Sequence, residues 1–539
     1  MICARAVGVA LAFALAWAPL ARAAGGQPCA TMALYQAARR GMPLLDVGFG
    51  ERPTDIRATF DSTVAGHELR VHADPGVSDQ RALQVLALFD AAWTQQVDVA
   101  GYAPPLLDGD EGGDARFDVY VVPLDVGLAG VTIAGADGDD SDGKHASPSF
   151  IELDPTLQDD LLEVFAHHEF QHALQFAIDT EEPIMWFEST AVFWEVRTNP
   201  EVTDWTLSLP DFQGSPQVPL FVDGVIAEAL SGRSASRYEY GAALFALYLD
   251  EVHGDGEGTI LREIWQGTPQ ADQVTDNEPD FLDALAQLPS GPIDLGLALA
   301  DFATWRALVG PLSVEGDGPL ERVPAVAALF AGQLNAATLD GDSETTDDED
   351  GPYALGCVVR QVTSPANVEA MPVEIRVQAT LPGQLLRLAL LVIDPTSSAI
   401  TVRRESEALS SHLELVSLPR GNILQVAMCD VSPADSEDVV TVRPVTLSIL
   451  RTDIDFPDAG TTRADAGLPV DAGVQVPPEP ACGCQSTDPS RRPRGNRGLG
   501  WSALAIMATL LAFAVRGIRL KRRGRTMKPR TKSERRRLS

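Results

Sequence analysis

Two histidines four residues apart, with a glutamate directly after the first, place the tightest constraint on this chain of 539 residues. The run His168-Glu169-Phe170-Gln171-His172 lies inside "TLQDDLLEVFAHHEFQHALQFAID", residues 156–179. Leu161, Phe165, His168 and His172 recur there at helical spacing and share one face. Helix positions four apart differ by about 40° around the axis and ~6 Å along it, so both imidazoles reach one tetrahedral ion. His167 points about 100° away from His168 and is expected to pack or cap. Glu169 stands where its carboxylate meets a water beside the metal rather than the metal itself, which is the place of a general base in a zinc hydrolase. Asp154-Pro155 predicts the start of this helix, with Asp as N-cap and Pro in the first turn.

A hydrolytic zinc needs a third protein ligand. No histidine lies between His172 and His253, but "EEPIMWFESTAVFWEVR", 181–197, places Glu188 and Glu195 seven apart, on one side of a second helix. The third ligand is therefore expected to be a glutamate. Glu188 and Glu195 both remain candidates, and Glu195 also reads as an acceptor that orients a ligand histidine. Further on, "RYEYGAALFALYLDEVHG" supplies Tyr240 or Tyr238 as a donor to a tetrahedral oxyanion, with His253 as another candidate that reads better as a helix cap.

The run "HEFQHALQFAID" followed by "MWFESTAVFWE" resembles hyicolysin-like and myxobacterial metalloproteases of the gluzincin type, whose pattern is H-E-F-x-H and then W-x-x-E or W-x-E with small residues after it. The resemblance spans about residues 60–310. It implies an α+β zincin-like metallopeptidase domain, mostly helical around the active-site helix with a small sheet. It also implies zinc held by His168, His172 and Glu188, and a peptide or protein substrate paired to the strand "SFIELD", 149–154. Ser189 stands where those proteins have Gly or Ala, and the gap from His172 to Glu188 is shorter than in thermolysin-like enzymes.

Outside that region the pattern changes. Short β-branched runs such as "VEIRVQATL", "LRLALLVID" and "TLSILR" predict an all-β sandwich over 352–453, after a metallopeptidase domain at 24–345 and an acidic link, "DGDSETTDDEDG". Cys357 and Cys429 flank this region and are expected to form a disulfide in an exported protein, whereas Cys29 has no evident partner. Two acidic, glycine-containing loops, "LLDGDEGGDARFD" and "GADGDDSDGKH", offer carboxylates for calcium but lack the twelve-residue calcium-loop pattern.

The ends read as export signals. Residues 1–23 have a basic start, an apolar run and a small-residue cleavage site, the layout of a secretory signal peptide cut after Ala23. Residues 454–481, with three "DAG" repeats among prolines, read as a disordered linker. Residues 482–539 carry Cys482 and Cys484, an apolar run at 499–515 long enough to approach a membrane span, and a basic end. This tail resembles the MYXO-CTERM sorting tails of Gram-negative surface proteins, which implies processing near Cys482 or Cys484 by a sorting protease and a place at the envelope, the outer surface or outside the cell. The formal charge is −35, and the body is more acidic still because the tail is basic, which excludes nucleic acid as a natural partner. Two other functions fit the sequence: a surface binding or adhesion protein with a structural or inactive zinc site, and a zinc hydrolase of a non-peptide substrate.

Overall fold

A computed structural model describes residues 29, 31, 32 and 51–452, except 126, 136–145, 270–276, 309–335, 339–342, 346–350, 366, 398 and 437–439. The signal peptide, the linker, the 482–539 tail with Cys482 and Cys484, and most of the second acidic loop lie outside the described residues. Among the described residues no helix is long and apolar enough to cross a membrane.

The N-terminal half is built on a five-stranded sheet. Strands β1 (Ala58–Asp61), β2 (Leu69–Ala73), β3 (Phe117–Val121), β4 (Gly130–Ala134) and β5 (Ser149–Leu153) take the order β1-β2-β3-β5-β4. The inner three are parallel, and β1 and β4 run antiparallel on the two edges. Leu69, Val71, Phe117, Val119, Ile151 and Leu153 lie in one core with residues of two helices, α1 (Asp79–Trp93) and α2 (Asp159–Phe176). Phe170 of α2 contacts the rings of Phe89, Trp93 and Phe117, which locks α2 between α1 and the sheet.

Two expectations change here. Helix α2 begins at Asp159, because the Asp154 carboxylate instead accepts from the Thr156 amide (2.7 Å) and hydroxyl (2.5 Å) and from the Leu124 amide (3.1 Å), closing a turn. The strand "SFIELD" is not available to pair with a substrate. As β5 it lies between β3 and β4, with both its edges bonded, and the outermost strand on this side of the sheet is β4.

Helix α3 (Ile184–Thr198) packs against α2 and is buried from Met185 through Val196 on all its faces, as its nearly unbroken apolar sequence requires. It is enclosed by a short helix, Tyr238–Gly241, and by α4 (Ala243–Tyr248) and α5 (Thr259–Gly267). Trp186 stacks with Trp265 and Phe281 in this second helical layer.

The C-terminal region is β-rich. Strands β6 (Ala336–Thr338), β7 (Ser343–Thr345), β8 (Cys357–Thr363), β9 (Ala370–Ala379), β10 (Leu386–Asp394), β11 (Ala399–Glu405), β12 (Ser411–Pro419), β13 (Ile423–Asp430) and β14 (Val445–Arg451) form two sheets, β11-β10-β13-β8-β6 and β12-β9-β14-β7. Val358, Ile375, Val377, Leu390, Val426 and Leu447 from both sheets share one interior. Over β8, β10 and β13 the other face of the first sheet is buried too, while β11 at its edge is largely exposed. Ala389, Ala427, Cys357 and Cys429 join the core of the helical region, where helix α6 (Leu295–Trp305) covers them. This double burial explains why "LRLALLVID" is a continuous apolar run rather than an alternating one. Gln425 Nε2 donates to Ala303 O (3.1 Å), and Arg387 and Arg403 pair with Asp294 and Asp301, so the β-rich region is joined to the helices by polar contacts as well. Cys357 and Cys429 sit directly opposite each other on β8 and β13 and are disulfide-bonded.

Candidate metal centre

Four side chains from three parts of the chain meet behind β4. His168 and His172 come from α2, Glu188 from the first turns of α3, and Cys29 from far upstream. All four are buried, and one ligand atom from each lies within 4.8 Å of every other. The His168 and His172 Nε2 atoms are 3.1 Å apart, Glu188 Oε2 is 3.4 and 3.5 Å from them, and Cys29 Sγ is 3.5 Å from His172 Nε2. Donors bound at about 2.0–2.3 Å to one tetrahedral ion would lie roughly 3.3–3.6 Å apart, close to the 3.1–3.5 Å separations of these atoms, so the cluster could hold a metal ion. Glu188 Oε2 makes no hydrogen bond of normal length although it is fully enclosed; the groups facing it are the two imidazoles at 3.4 and 3.5 Å, so it needs positive charge there, as protonated imidazole or as a bound cation.

Electrostatics points the same way. Burial opposes charge on the two imidazoles, yet the neighbouring Cys29 sulfur and Glu188 carboxylate outweigh it, raising His172 to about 10 and His168 well above its ordinary value. Burial likewise pushes the Glu188 carboxyl up, but the two histidines prevail and hold it at about 2. The pocket is built to surround positive charge.

The far nitrogens of both histidines are held. His168 Nδ1 is 2.5 Å from Glu195 Oε1, and His172 Nδ1 is 2.7 Å from Gln175 Oε1. Donating Nδ1–H to these oxygens directs each Nε2 to the centre, where it can carry a proton or, once deprotonated, bind a cation. Glu188 and Glu195, seven residues apart on α3, thus take opposite nitrogens of one imidazole. Gln175 is fixed in turn by donating to Phe187 O (3.0 Å) and Thr190 Oγ1 (2.8 Å), and Thr190 Oγ1 also accepts from Trp265 Nε1 (3.1 Å).

Glu169 lies on the β4 side of the cluster. Its Oε2 accepts from Thr132 Oγ1 (2.8 Å) and Thr31 Oγ1 (3.1 Å), while its Oε1 is buried with no donor. Gly130 makes room for it, because a Cβ there would sit 2.7 Å from Glu169 Cγ and 2.9 Å from Oε1. Tyr240 stacks beside His168, with ring centroids 6.5 Å apart, and its hydroxyl donates to Cys29 O at 3.0 Å. Tyr238 turns away to Pro219 O, and His253 contacts Tyr248. His167 is buried without a partner for Nδ1, and burial lowers its pKa to about 3, so it is neutral.

The sequence marks Cys29 only as an unpartnered cysteine, and gives Gln175, Thr132 and Gly130 no assigned role. Only Gln175 left a usable signal, being three residues after His172 and hence on the same helix face. The described acidic loop carries no such cluster: Asp108, Glu111 and Asp118 converge on Arg52, and Asp114 pairs with Arg70 and Arg116.

The chain matches no protein-family model and no curated protein. A solved β-glucosidase from Paenibacillus barengoltzii is similar over 22% of this chain and 12% of its own, at 10% identity and a TM-score of 0.13, so this chain spans about an eighth of that enzyme's length. A likeness that slight carries no argument.

Proposed function

We propose that this protein is an exported zinc-dependent metallopeptidase with a zincin-like catalytic domain. The observation that carries the reading is the convergence of His168, His172 and Glu188 at tetrahedral spacing, with the carboxylate of Glu169 beside them but outside the cluster. His168, His172 and Glu188 would hold the zinc. When bound, the ion supplies Lewis acidity, making a water acidic enough to lose its proton near neutral pH and polarising a carbonyl. Glu169 takes the proton of the attacking water and returns it to the departing amine, with Thr132 fixing its Oε2 and leaving Oε1 to do so. Tyr240, once its hydroxyl leaves Cys29 O, donates to the oxygen on which negative charge develops. The outer edge of β4 offers main-chain groups to an extended peptide whatever its side chains, and this favours peptide over other substrates.

Zinc content of the purified protein and cleavage of a broad peptide pool, read by mass spectrometry, test this reading. Glu188→Ala should lose zinc, whereas Glu169→Gln should keep it and slow cleavage by about 10²–10⁴-fold. Unchanged zinc in Glu188→Ala removes the ligand assignment. Unchanged cleavage in Glu169→Gln removes the mechanism.

A further inference from the structure

The segment containing Cys29 engages every group to which the reaction has been assigned. Cys29 Sγ, 1% exposed as a residue, completes the four-donor set at 3.5 Å from His172 Nε2 and accepts from the Thr31 amide at 3.4 Å. Cys29 forms a parallel β-bridge with Gly130, so it lies along the edge of β4 that an extended substrate would use. Its carbonyl takes the Tyr240 hydroxyl at 3.0 Å. Thr31 Oγ1 accepts from the Thr132 amide at 2.8 Å and donates to Glu169 Oε2 at 3.1 Å. Met32 is buried in the main core and anchors the far side of the segment. The metal position, the general base, the oxyanion donor and the substrate edge are therefore all taken by two residues of the same chain.

We infer that Cys29 is a fourth metal ligand in a latent state of this protein, and that Cys29 and Thr31 together act as a built-in inhibitor that must leave the cleft before substrate enters. The inference rests on the metallopeptidase reading of the site. A sulfur donor suits the role because it binds zinc strongly, with a bond near 2.3 Å, and leaves no position for water. Its neighbour Thr31 does what no simple structural ligand would require, since it also occupies the general base. Plug and substrate compete for one seat, so latency follows from geometry with no second conformation of the catalytic domain. Cleavage after Ala23, as the sequence predicts, would leave Cys29 in the exported chain, and the protein would leave the cell interior inactive.

The test uses the full chain loaded with cobalt(II) in place of zinc, comparing native protein with Cys29→Ser and Cys29→Ala. Native protein should show the near-ultraviolet sulfur-to-cobalt charge-transfer band, and both variants should lose it while still binding one equivalent of cobalt through His168, His172 and Glu188. With zinc, both variants should cleave the peptide pool faster; if the plug occupies nine molecules in ten, the gain is about tenfold. A band that persists in both variants, or native cobalt protein with no band, overturns Cys29 as a ligand while leaving the metal site intact. Loss of the band with no gain in cleavage by variants that are themselves active overturns the inhibitory role. Native protein that binds no cobalt overturns the metal reading and this inference together.

Discussion

Removing the acceptor behind each histidine should weaken zinc binding without touching a ligand, and the two sites should differ in a predictable order. Glu195 Oε1 lies 2.5 Å from His168 Nδ1, and the two side chains are 5% and 0% exposed, so water cannot replace the carboxylate. Glu195→Leu keeps most of the volume and removes the acceptor, leaving a buried N–H unpaired and the ring free to turn or change tautomer. A hydrogen bond to a charged group is worth about 1.5–3 kcal/mol net, and the corresponding loss of metal affinity is about 10–100-fold. Gln175 is a neutral acceptor at 2.7 Å from His172 Nδ1, so Gln175→Leu removes a bond worth about 0.5–1.5 kcal/mol, or roughly 3–10-fold. Zinc affinity is measured by competition with a chelator of known strength, and thermal unfolding of the metal-free variants separates ligand orientation from loss of fold. The reasoning fails if Glu195→Leu binds zinc within about twofold of native, or if Gln175→Leu is the weaker binder of the two.

Three further outcomes follow from particular contacts. Gly130→Ala puts a Cβ 2.7 Å from Glu169 Cγ, and displacing the general base by about 1 Å should slow peptide cleavage about 10²-fold while zinc content, read by mass spectrometry, stays at one equivalent. Glu152, 9% exposed on β5, is raised by burial to about 7, so the native state holds a proton that the unfolded chain releases near pH 4.5. Its contribution is therefore fully present below pH 4.5 and is lost as pH rises through about 7; Glu152→Gln should be stabilising by about 2–3 kcal/mol at pH 8 and neutral at pH 4, as measured by urea unfolding. Replacing Cys357 and Cys429 with serine opens a loop of 72 residues, and chain entropy predicts a loss of about 4 kcal/mol in the same assay; a change below about 1 kcal/mol would mean the strands hold that region closed without the bond.

The β-rich region is attached to the helices in a way that governs how such losses spread. Because α6 is covered on one side by β10 and β13 and belongs on the other to the helical core, loosening the β-rich region exposes apolar surface that the N-terminal half also buries. The Cys357–Cys429 bond lies on that shared face, so its removal should be felt in both halves as one transition.

Periodicity alone was enough for the elements that matter most to the site. The spacing of His168 and His172 on an apolar helix, and of Glu188 and Glu195 on the next, depends only on 3.6 residues per turn, and both pairs lie as that spacing dictates. The same holds for most sandwich strands, whose β-branched runs mark themselves locally. What periodicity could not decide was which strand forms the edge of the sheet. β4 is five residues of ordinary composition, and it lies outside β5 only because its antiparallel pairing places it there. Nor could it distinguish the Asp154 turn from a helix start, since the same side chain serves either.

His168, Glu169, His172 and the two α3 glutamates were therefore set by sequence, because each pair is joined by a few residues of regular helix. Cys29 was set by tertiary structure: 143 positions separate it from His172 and 211 separate it from Tyr240, and no local pattern spans such distances. Only the folded sheet, with β4 as its outer strand beside α2, brings that cysteine into the cluster with His168, His172 and Glu188.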